Sequence, residues 1–317
     1  MKFILWLLTG VFAVAGSAFA EDGGVITVRV IAFNDFHGHL QSPGNVGKTP
    51  AGGADFLAGY VNALKSGFPF NAVVSAGDLT GASPMVSGAF HDEGAIEVMN
   101  LLGLEFNAVG NHEFDSGRAE LLRKQFGGCF PGGDIGHDTC MAKAAHPVPV
   151  LYPFQGARFT YLAANVVDKV SGETLFPAYR VKTFTTPAGQ ARVAFIGMTL
   201  KGTPEIVNPS GVAGLDFLDE AETVNRLASQ LRAQGVESIV VLLHQGANPA
   251  AGPLDINDCA LLAGGAGEQP AADIVRGFDD AVDAVISGHT HASYTCRLPN
   301  KSSGDPGRQL RPGGDLS

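Results

Sequence analysis

The sequence has few basic residues for its length. Lys and Arg number 21 among 317 residues, against 31 Asp and Glu, and the net charge is −10 with neutral His. No segment concentrates Lys or Arg into the stripe that neutralises the phosphates of a nucleic acid, so no nucleic-acid polymer is expected as a partner. An acidic protein that handles anionic substrates must create positive potential locally, and bound cations provide it.

The apolar run at the start of the sequence is short for a membrane-spanning helix. Residues 3–14 follow one positive charge, Lys2, and precede a small-residue segment that ends in Ala18-Phe19-Ala20. This order predicts a signal peptide over residues 1–20, with a retained membrane anchor as the alternative. No Cys follows the cleavage site, so lipid attachment is not expected. We therefore expect a periplasmic or secreted protein without a stable membrane anchor after cleavage.

Cysteine is also scarce, and none of the four cysteines belongs to a C-x-x-C pair. That spacing disfavours a zinc site, which is the alternative to disulfides in an exported protein. Cys129 and Cys140 flank a loop rich in Gly and Asp, where a local disulfide would restrain a segment with few apolar contacts. Cys259 and Cys296 are then the second candidate pair.

Short strands rich in β-branched residues alternate with helical segments. Strands are predicted at residues 25–33, 72–75, 106–109, 160–164, 179–185, 192–198, 238–243 and 282–287, and helices at 53–65, 93–102, 116–125, 219–233 and 274–280. Such alternation predicts an α/β fold in which helices bury the strands on both faces. Residues 299–317 are polar, rich in Gly and Pro, and predicted to be a disordered tail.

Side chains that can bind metals follow several of the predicted strands. Functional residues collect at the carboxyl ends of strands in α/β sheets, so we expect these side chains to converge. Singly, each has an ordinary alternative, which is a turn for Asp78 or Asn111 and a half-buried imidazole for His244. The candidate ligands are Asp35, His37, Asp78, Asn111, His244, His289 and His291. Four other histidines, His39, His91, His137 and His146, are predicted to be surface or loop residues.

Two residue pairs, Asp35-x-His37 and His289-x-His291, are more specific. Alternate residues of an extended segment point to opposite faces, so such a pair can share a metal centre only where the chain turns, and a glycine beside each pair permits a turn. Mixed oxygen and imidazole ligands suit Zn, Mn or Fe better than Ca or Mg. Seven ligands exceed one tetrahedral site, which favours two ions bridged by a carboxylate, most naturally Asp78.

The order of these motifs resembles a known family. The chain carries, in sequence, Asn34-Asp35-Phe36-His37-Gly38, Gly77-Asp78, Gly110-Asn111-His112-Glu113-Phe114-Asp115, His244 and Gly288-His289-Thr290-His291. Over residues 25–297 it resembles the calcineurin-like metallophosphoesterases, and within them the branch of secreted 5′-nucleotidases, UDP-sugar hydrolases and 2′,3′-cyclic-nucleotide phosphodiesterases. The resemblance implies layered β-sheets flanked by helices and a metal-dependent hydrolase of small phosphate esters, above all nucleotides.

The resemblance also implies roles for the candidate residues. Two divalent ions, Zn, Mn or similar, would be held by Asp35, His37, Asp78 and His291, and by Asp78, Asn111, His244 and His289. A catalytic dyad would comprise His112 and Asp115, whose carboxylate orients the imidazole and favours its protonated form. The implied mechanism is in-line attack on phosphorus by a hydroxide activated between the ions. His112 would stabilise negative charge or donate a proton to the leaving oxygen.

The sequence departs from this branch after His291. Members of the branch continue with further strands and a second domain that binds the nucleotide, whereas about 26 residues follow His291 here. We therefore expect a catalytic domain over residues 21–298 that lacks the last sheet strands, with the nucleotide-binding C-terminal domain absent. A shifted reading frame or a truncated gene would explain the loss of apolar residues after Leu298. Two alternatives stay open, a metal-binding remnant with little activity and a sulfur-ester hydrolase on the same scaffold.

Overall fold

The structure of the chain is a computed structural model. The structure describes residues 25–42, 44–46, 48–140, 142–143, 150–151, 153–236, 238–250, 256, 260–263, 268–299 and 306–312. The predicted signal peptide, His146 and Cys259 lie outside these ranges. Among the helices within them, none has both the length and the apolar character needed to cross a membrane.

Strands and helices alternate along the described ranges much as the sequence predicts. The strands are β1 (Arg29–Phe33), β2 (Gly44–Val46), β3 (Thr49–Ala51), β4 (Asn71–Ser75), β5 (Phe106–Ala108), β6 (Ala142–Lys143), β7 (Val150–Leu151), β8 (Thr160–Leu162), β9 (Val166–Asp168), β10 (Tyr179–Thr186), β11 (Gly189–Thr199), β12 (Leu215–Phe217), β13 (Ser238–His244), β14 (Asn248–Pro249), β15 (Leu261–Ala263), β16 (Ala284–Ser287), β17 (Cys296–Pro299) and β18 (Pro306–Pro312). The helices are α1 (Ala54–Lys65), α2 (Met85–Gly88), α3 (Glu93–Leu102), α4 (Arg118–Phe126), α5 (Thr203–Ile206), α6 (Glu220–Ala233) and α7 (Ala271–Arg276), with a 3-10 turn at His112–Phe114.

Two sheets form the centre of the fold. The first has four parallel strands in the order β1-β4-β5-β8. The second has six strands in the order β10-β11-β13-β16-β18-β17, of which the middle four are parallel and each edge strand is antiparallel to its neighbour. Strands that carry the candidate ligands therefore belong to both sheets.

The two sheets pack face to face. Ala72 and Val74 of the first sheet share a buried apolar cluster with Phe195 and Leu242 of the second. Helices α1, α3 and α4 cover the outer face of the first sheet, and α6 and α7 cover that of the second. The layered sheets flanked by helices are confirmed. The expectation that helices bury the strands on both faces is wrong, because each sheet covers one face of the other.

Helix α6 illustrates how local sequence sets one of these layers. The Asp219 carboxylate accepts a hydrogen bond from the backbone N–H of Glu222 at 3.1 Å, which caps the helix at the start of the predicted range. Caps of this kind contribute about 1 kcal/mol. Val224, Leu227 and Leu231 recur at helical spacing and are buried against the second sheet. The cap and the apolar stripe together fix where α6 begins and which face it buries.

The second sheet continues beyond β16, which differs from the predicted disordered tail and the predicted loss of closing strands. Strand β18 pairs in parallel with β16, with Ala284 opposite Gln309, and antiparallel with β17, with Cys296 opposite Leu310. The physical reason is that β16 would otherwise present a row of unpaired N–H and C=O groups. Backbone pairing satisfies these groups and needs no apolar alternation. The lack of that alternation in residues 299–317 was the reason for predicting a disordered tail.

The predicted disulfide between Cys129 and Cys140 is present. Glu93 of α3 accepts a hydrogen bond from the backbone N–H of Cys140 at 2.8 Å and pairs with Arg123 of α4 at 2.7 Å. The loop that the disulfide closes is therefore tied to two helices of the first layer. Cys296 is also disulfide-bonded, and Cys259, its predicted partner, lies outside the described residues.

Candidate metal centre

The predicted ligands lie at or shortly after the carboxyl ends of strands from both sheets. Five of them have backbone φ angles in the left-handed region, which residues other than Gly rarely adopt. These are Asp35 (53°), His37 (45°), Asp78 (51°), His289 (79°) and His291 (52°). Each such residue costs on the order of 1–3 kcal/mol, so strain is concentrated at this site. The turns expected at both D-x-H and H-x-H are confirmed.

Two groups of ligand atoms result from these turns. Asp35, His37 and His291 form the first, and their ligand atoms lie within 4.8 Å of one another. Nε2 of His37 is 3.2 Å from Nε2 of His291, which is itself 3.6 Å from Oδ1 of Asp35. The H-x-H pair is therefore split, because His289 belongs to the second group.

The second group contains Asp78, His244 and His289, again with ligand atoms within 4.8 Å of one another. Nε2 of His244 lies 3.1 Å from Oδ2 of Asp78 and 3.0 Å from Oδ1 of Asn111. All seven predicted ligands are thus brought together. The same Oδ2 of Asp78 is 3.7 Å from Nε2 of His37, so one carboxylate oxygen lies between the two groups.

Backbone carbonyl groups fix the tautomers of two rings. Nδ1 of His37 lies 2.8 Å from the carbonyl oxygen of Gly81, and Nδ1 of His244 lies 2.7 Å from that of Ala76. Because a carbonyl only accepts, each Nδ1 donates, and a neutral ring then turns a bare Nε2 towards the centre. Imidazole nitrogens, carboxylates and an amide oxygen facing each other suit a divalent transition ion, so the donor set fits a metal centre.

Burial and mutual charge shift the pKa values of the ligands. Burial raises the pKa of Asp35. Burial also opposes ionisation of Asp78, but the His244 ring outweighs it and lowers the pKa of Asp78. For His244, burial disfavours the charged ring, yet the Asp78 carboxylate raises its pKa to about 10. Without a cation, Asp78 and His244 therefore form a buried ion pair, and the proton on His244 occupies the place of a cation.

Glu113, between the dyad residues in sequence, organises two ligand loops. Its carboxylate accepts backbone hydrogen bonds from Asp78 (2.9 Å), Leu79 (2.7 Å), Thr80 (3.2 Å) and Gly110 (2.6 Å). Burial, with a further contribution from Asp78, raises the pKa of Glu113 to about 7. Hydrogen bonds to the Glu113 carboxylate thereby connect the loop after β4 with the loop after β5.

The predicted dyad lies at the open side of the centre. Nδ1 of His112 is 2.9 Å from Oδ2 of Asp115, and about a third of each side chain is exposed. This hydrogen bond is the main reason that the pKa of His112 is raised. The backbone N–H of His112 also donates to Oδ1 of Asp78 at 2.9 Å. The imidazole is thus oriented by a carboxylate and linked through its backbone to a candidate ligand, Asp78.

A cavity of about 490 Å³ opens onto these groups, and its lining includes His37, Asp78, His112, His289 and His291. His39, predicted to be a surface or loop residue, lies in the loop after β1 and lines the same cavity. A larger cavity of about 680 Å³ has no predicted ligand in its lining. The smaller cavity is therefore the one that opens onto the candidate metal centre.

Sequence reasoning missed Glu268. One of its carboxylate oxygens lies 3.0 Å from Nε2 of His289, and the pair is largely buried. The two residues are 21 positions apart, and no motif links them. A search for acidic residues near the predicted ligands in space, rather than in sequence, would have been needed.

Comparison with known proteins agrees with this geometry. The sequence model of a family described as calcineurin-like phosphoesterase matches residues 28–293. The chain is 32% identical to an endonuclease, YhcR, of Bacillus subtilis over 84% of the chain and 20% of that protein. It is 26% identical to the snake venom 5′-nucleotidase of Gloydius brevicauda over 90% of the chain and 40% of that protein. The chain thus spans less than half the length of either relative.

A solved structure supports the fold. The 5′-nucleotidase precursor from Thermus thermophilus superposes with a TM-score of 0.64 at 22% identity, over 92% of this chain and 49% of that one. At this identity the likeness concerns the fold alone. The 5′-nucleotidase relatives support the branch that the sequence motifs indicate.

Proposed function

The chain belongs to the calcineurin-like phosphoesterase family, and from this we propose that it hydrolyses small phosphate esters, above all nucleotides, with two divalent ions. The observation that carries the proposal is the carboxylate of Asp78, whose Oδ2 lies between His244 and His37. A carboxylate in this position can bridge two adjacent ions.

The two groups of side chains supply the proposed ligands. One ion would be held by Asp35, His37, Asp78 and His291, and the other by Asp78, Asn111, His244 and His289. Bound there, divalent ions of the Zn or Mn type activate water and neutralise charge on phosphoryl oxygens. The backbone carbonyls behind His37 and His244 orient the rings before any ion binds.

His112 and Asp115 are the proposed catalytic dyad. The hydrogen bond at 2.9 Å holds the imidazole at the cavity and raises its pKa. A protonated imidazole in that position can stabilise negative charge on the phosphate or give a proton to the leaving oxygen. The partial exposure of both side chains leaves the ring accessible to a substrate.

The site of action is proposed from the N-terminal sequence. Residues 1–20 have the order of charge, apolar run and small residues typical of a signal peptide. We infer a periplasmic or secreted enzyme that meets its substrates outside the cytoplasm. The net charge of −10 argues for small esters rather than a nucleic-acid polymer.

The test compares the wild-type protein with Asp78→Asn and with Asp55→Asn, a matched change at an exposed position of α1. Each protein is assayed with Mn²⁺ or Zn²⁺ on a chromogenic phosphate monoester, AMP, single-stranded DNA and a sulfur ester, with and without chelator. We expect turnover of the monoester and AMP that chelator and Asp78→Asn abolish and Asp55→Asn preserves. Bound metal without turnover on any ester would indicate a remnant, and turnover of the sulfur ester or DNA alone would contradict the proposed substrate class.

A further inference from the structure

Glu268 lies next to a proposed ligand but outside both ligand groups. Its Oε2 is 3.0 Å and its Oε1 is 3.3 Å from Nε2 of His289. Its side chain is 11% exposed. Its oxygens are not part of the cluster formed by Asp78, His244 and His289.

The contact determines which nitrogen of His289 carries the proton. A carboxylate accepts a hydrogen bond, so Nε2 of His289 carries the proton and Nδ1 is left bare. His37 and His244 have the opposite arrangement, since Nδ1 of each donates to a backbone carbonyl and Nε2 points inwards. His289 therefore needs a partner of its own, and Glu268 provides one.

Glu268 also joins two ligand loops. Gln245, which directly follows His244, donates from Nε2 to Oε2 of Glu268 at 3.3 Å and to the carbonyl oxygen of Gln269 at 2.8 Å. The loop after β13 and the loop after β16 are thus connected through one carboxylate. Helix α7 begins only at Ala271 and has Pro270 as its cap, so Glu268 is not required to start that helix.

We propose that Glu268 is a positioning residue for the second ion, holding His289 by its Nε2–H so that Nδ1 coordinates the ion. This inference rests on the proposed two-ion function. A carboxylate behind a metal-binding imidazole fixes the ring and increases its basicity, and loss of such a partner lowers metal affinity by about 10- to 100-fold. The other ligand group, Asp35, His37 and His291, does not include His289, so a loss of Glu268 would act on the second ion.

The test measures metal binding directly in the full chain. Glu268→Ala and Glu268→Gln are compared with wild type and with Glu205→Gln, a matched change at an exposed residue of α5. Stepwise affinities for Zn²⁺ and Mn²⁺ are obtained by calorimetry and chelator competition, and thermal unfolding in chelator reports on the fold. In Zn²⁺-loaded protein, ¹⁵N shifts of His289 identify the nitrogen that binds the ion.

We expect Glu268→Ala to weaken one of the two binding steps by about 10- to 100-fold and to leave the other within about threefold. Glu268→Gln should lose less, since its amide oxygen still accepts from Nε2–H, and Glu205→Gln should behave as wild type. In the wild type, the ¹⁵N shifts should show that His289 binds the ion through Nδ1.

Three results would overturn the inference. These are unchanged affinity for both ions in Glu268→Ala, an equal loss at both steps together with a less stable metal-free fold, and coordination of His289 through Nε2. A wild-type chain that binds two ions without hydrolysing any ester would overturn the proposed function. The role of Glu268 would still be tested by the metal affinities of its variants. A wild-type chain that binds fewer than two ions would overturn both.

Discussion

Oδ2 of Asp78 lies 3.1 Å from Nε2 of His244, and both side chains are almost completely buried. Asp78 follows β4 of the first sheet, and His244 ends β13 of the second. The contact therefore spans the seam between the two sheets. Packing of the sheets against each other therefore brings these two candidate ligands together.

In the metal-free protein, the ion pair of Asp78 and His244 should make the stability depend on pH. The pKa of His244 is raised to about 10 in the folded state, against about 6.5 when unfolded. The contribution of the ion pair to the free energy of unfolding is therefore complete below about pH 6.5 and is lost as pH rises through about 10. We expect the melting temperature of chelated wild type to exceed that of His244→Gln most near about pH 6, with the gap closing towards about pH 10. A gap that is constant with pH would contradict the ion pair.

Removal of the Glu113 carboxylate should destabilise the protein. Four backbone N–H groups would lose their acceptor, and an unsatisfied buried donor costs about 1–3 kcal/mol. We expect Glu113→Ala to lower the free energy of unfolding by at least about 3 kcal/mol, measured by urea denaturation with chelator present. The exposed Glu97→Gln on α3 is the control and should change stability by less than about 0.5 kcal/mol. Equal stability of the two variants would contradict the organising role.

The dyad predicts a shift in the pH profile. Asp115 raises the pKa of His112, so the protonated ring persists to higher pH in the wild type than in Asp115→Asn. With protonated His112 as the active form, the alkaline limb of the profile of kcat against pH should move to lower pH in Asp115→Asn. Activity that falls equally at every pH, with no movement of the limb, would assign Asp115 a role other than tuning His112.

The disulfide should contribute to stability rather than to chemistry. Cys129 and Cys140 close a loop with a sequence separation of 11, for which the loss of chain entropy on closure corresponds to about 3 kcal/mol. We expect the double variant Cys129→Ser, Cys140→Ser to unfold at lower urea concentration and to retain kcat. A loss of kcat in fully folded variant protein would show that this loop acts on the site.

The convergence of the candidate ligands was predictable because each lies at or shortly after the carboxyl end of a strand. Asp35-x-His37 and His289-x-His291 required the chain to turn, and the left-handed φ angles meet that requirement. The helix boundaries at Asp219 and at Glu93–Leu102 were equally predictable, since caps and apolar periodicity are local.

Long-range pairing could not be predicted from the sequence. Glu268 and His289 are 21 positions apart, and the fold brings their side chains into contact. No rule of sequence spacing predicts that contact. Strand β18 is held by backbone hydrogen bonds that its polar sequence does not indicate. Mutual covering of the two sheets was missed for a related reason, because a buried strand has the same apolar pattern whether a helix or another sheet lies over it.

Anomalous diffraction from crystals soaked in Mn²⁺ tests the central claim most directly. We predict two peaks about 3.5–4 Å apart, with the Asp78 carboxylate between them and the remaining ligands divided as Asp35, His37, His291 and Asn111, His244, His289. A single peak, or peaks away from Asp78 at saturating Mn²⁺, would contradict the account.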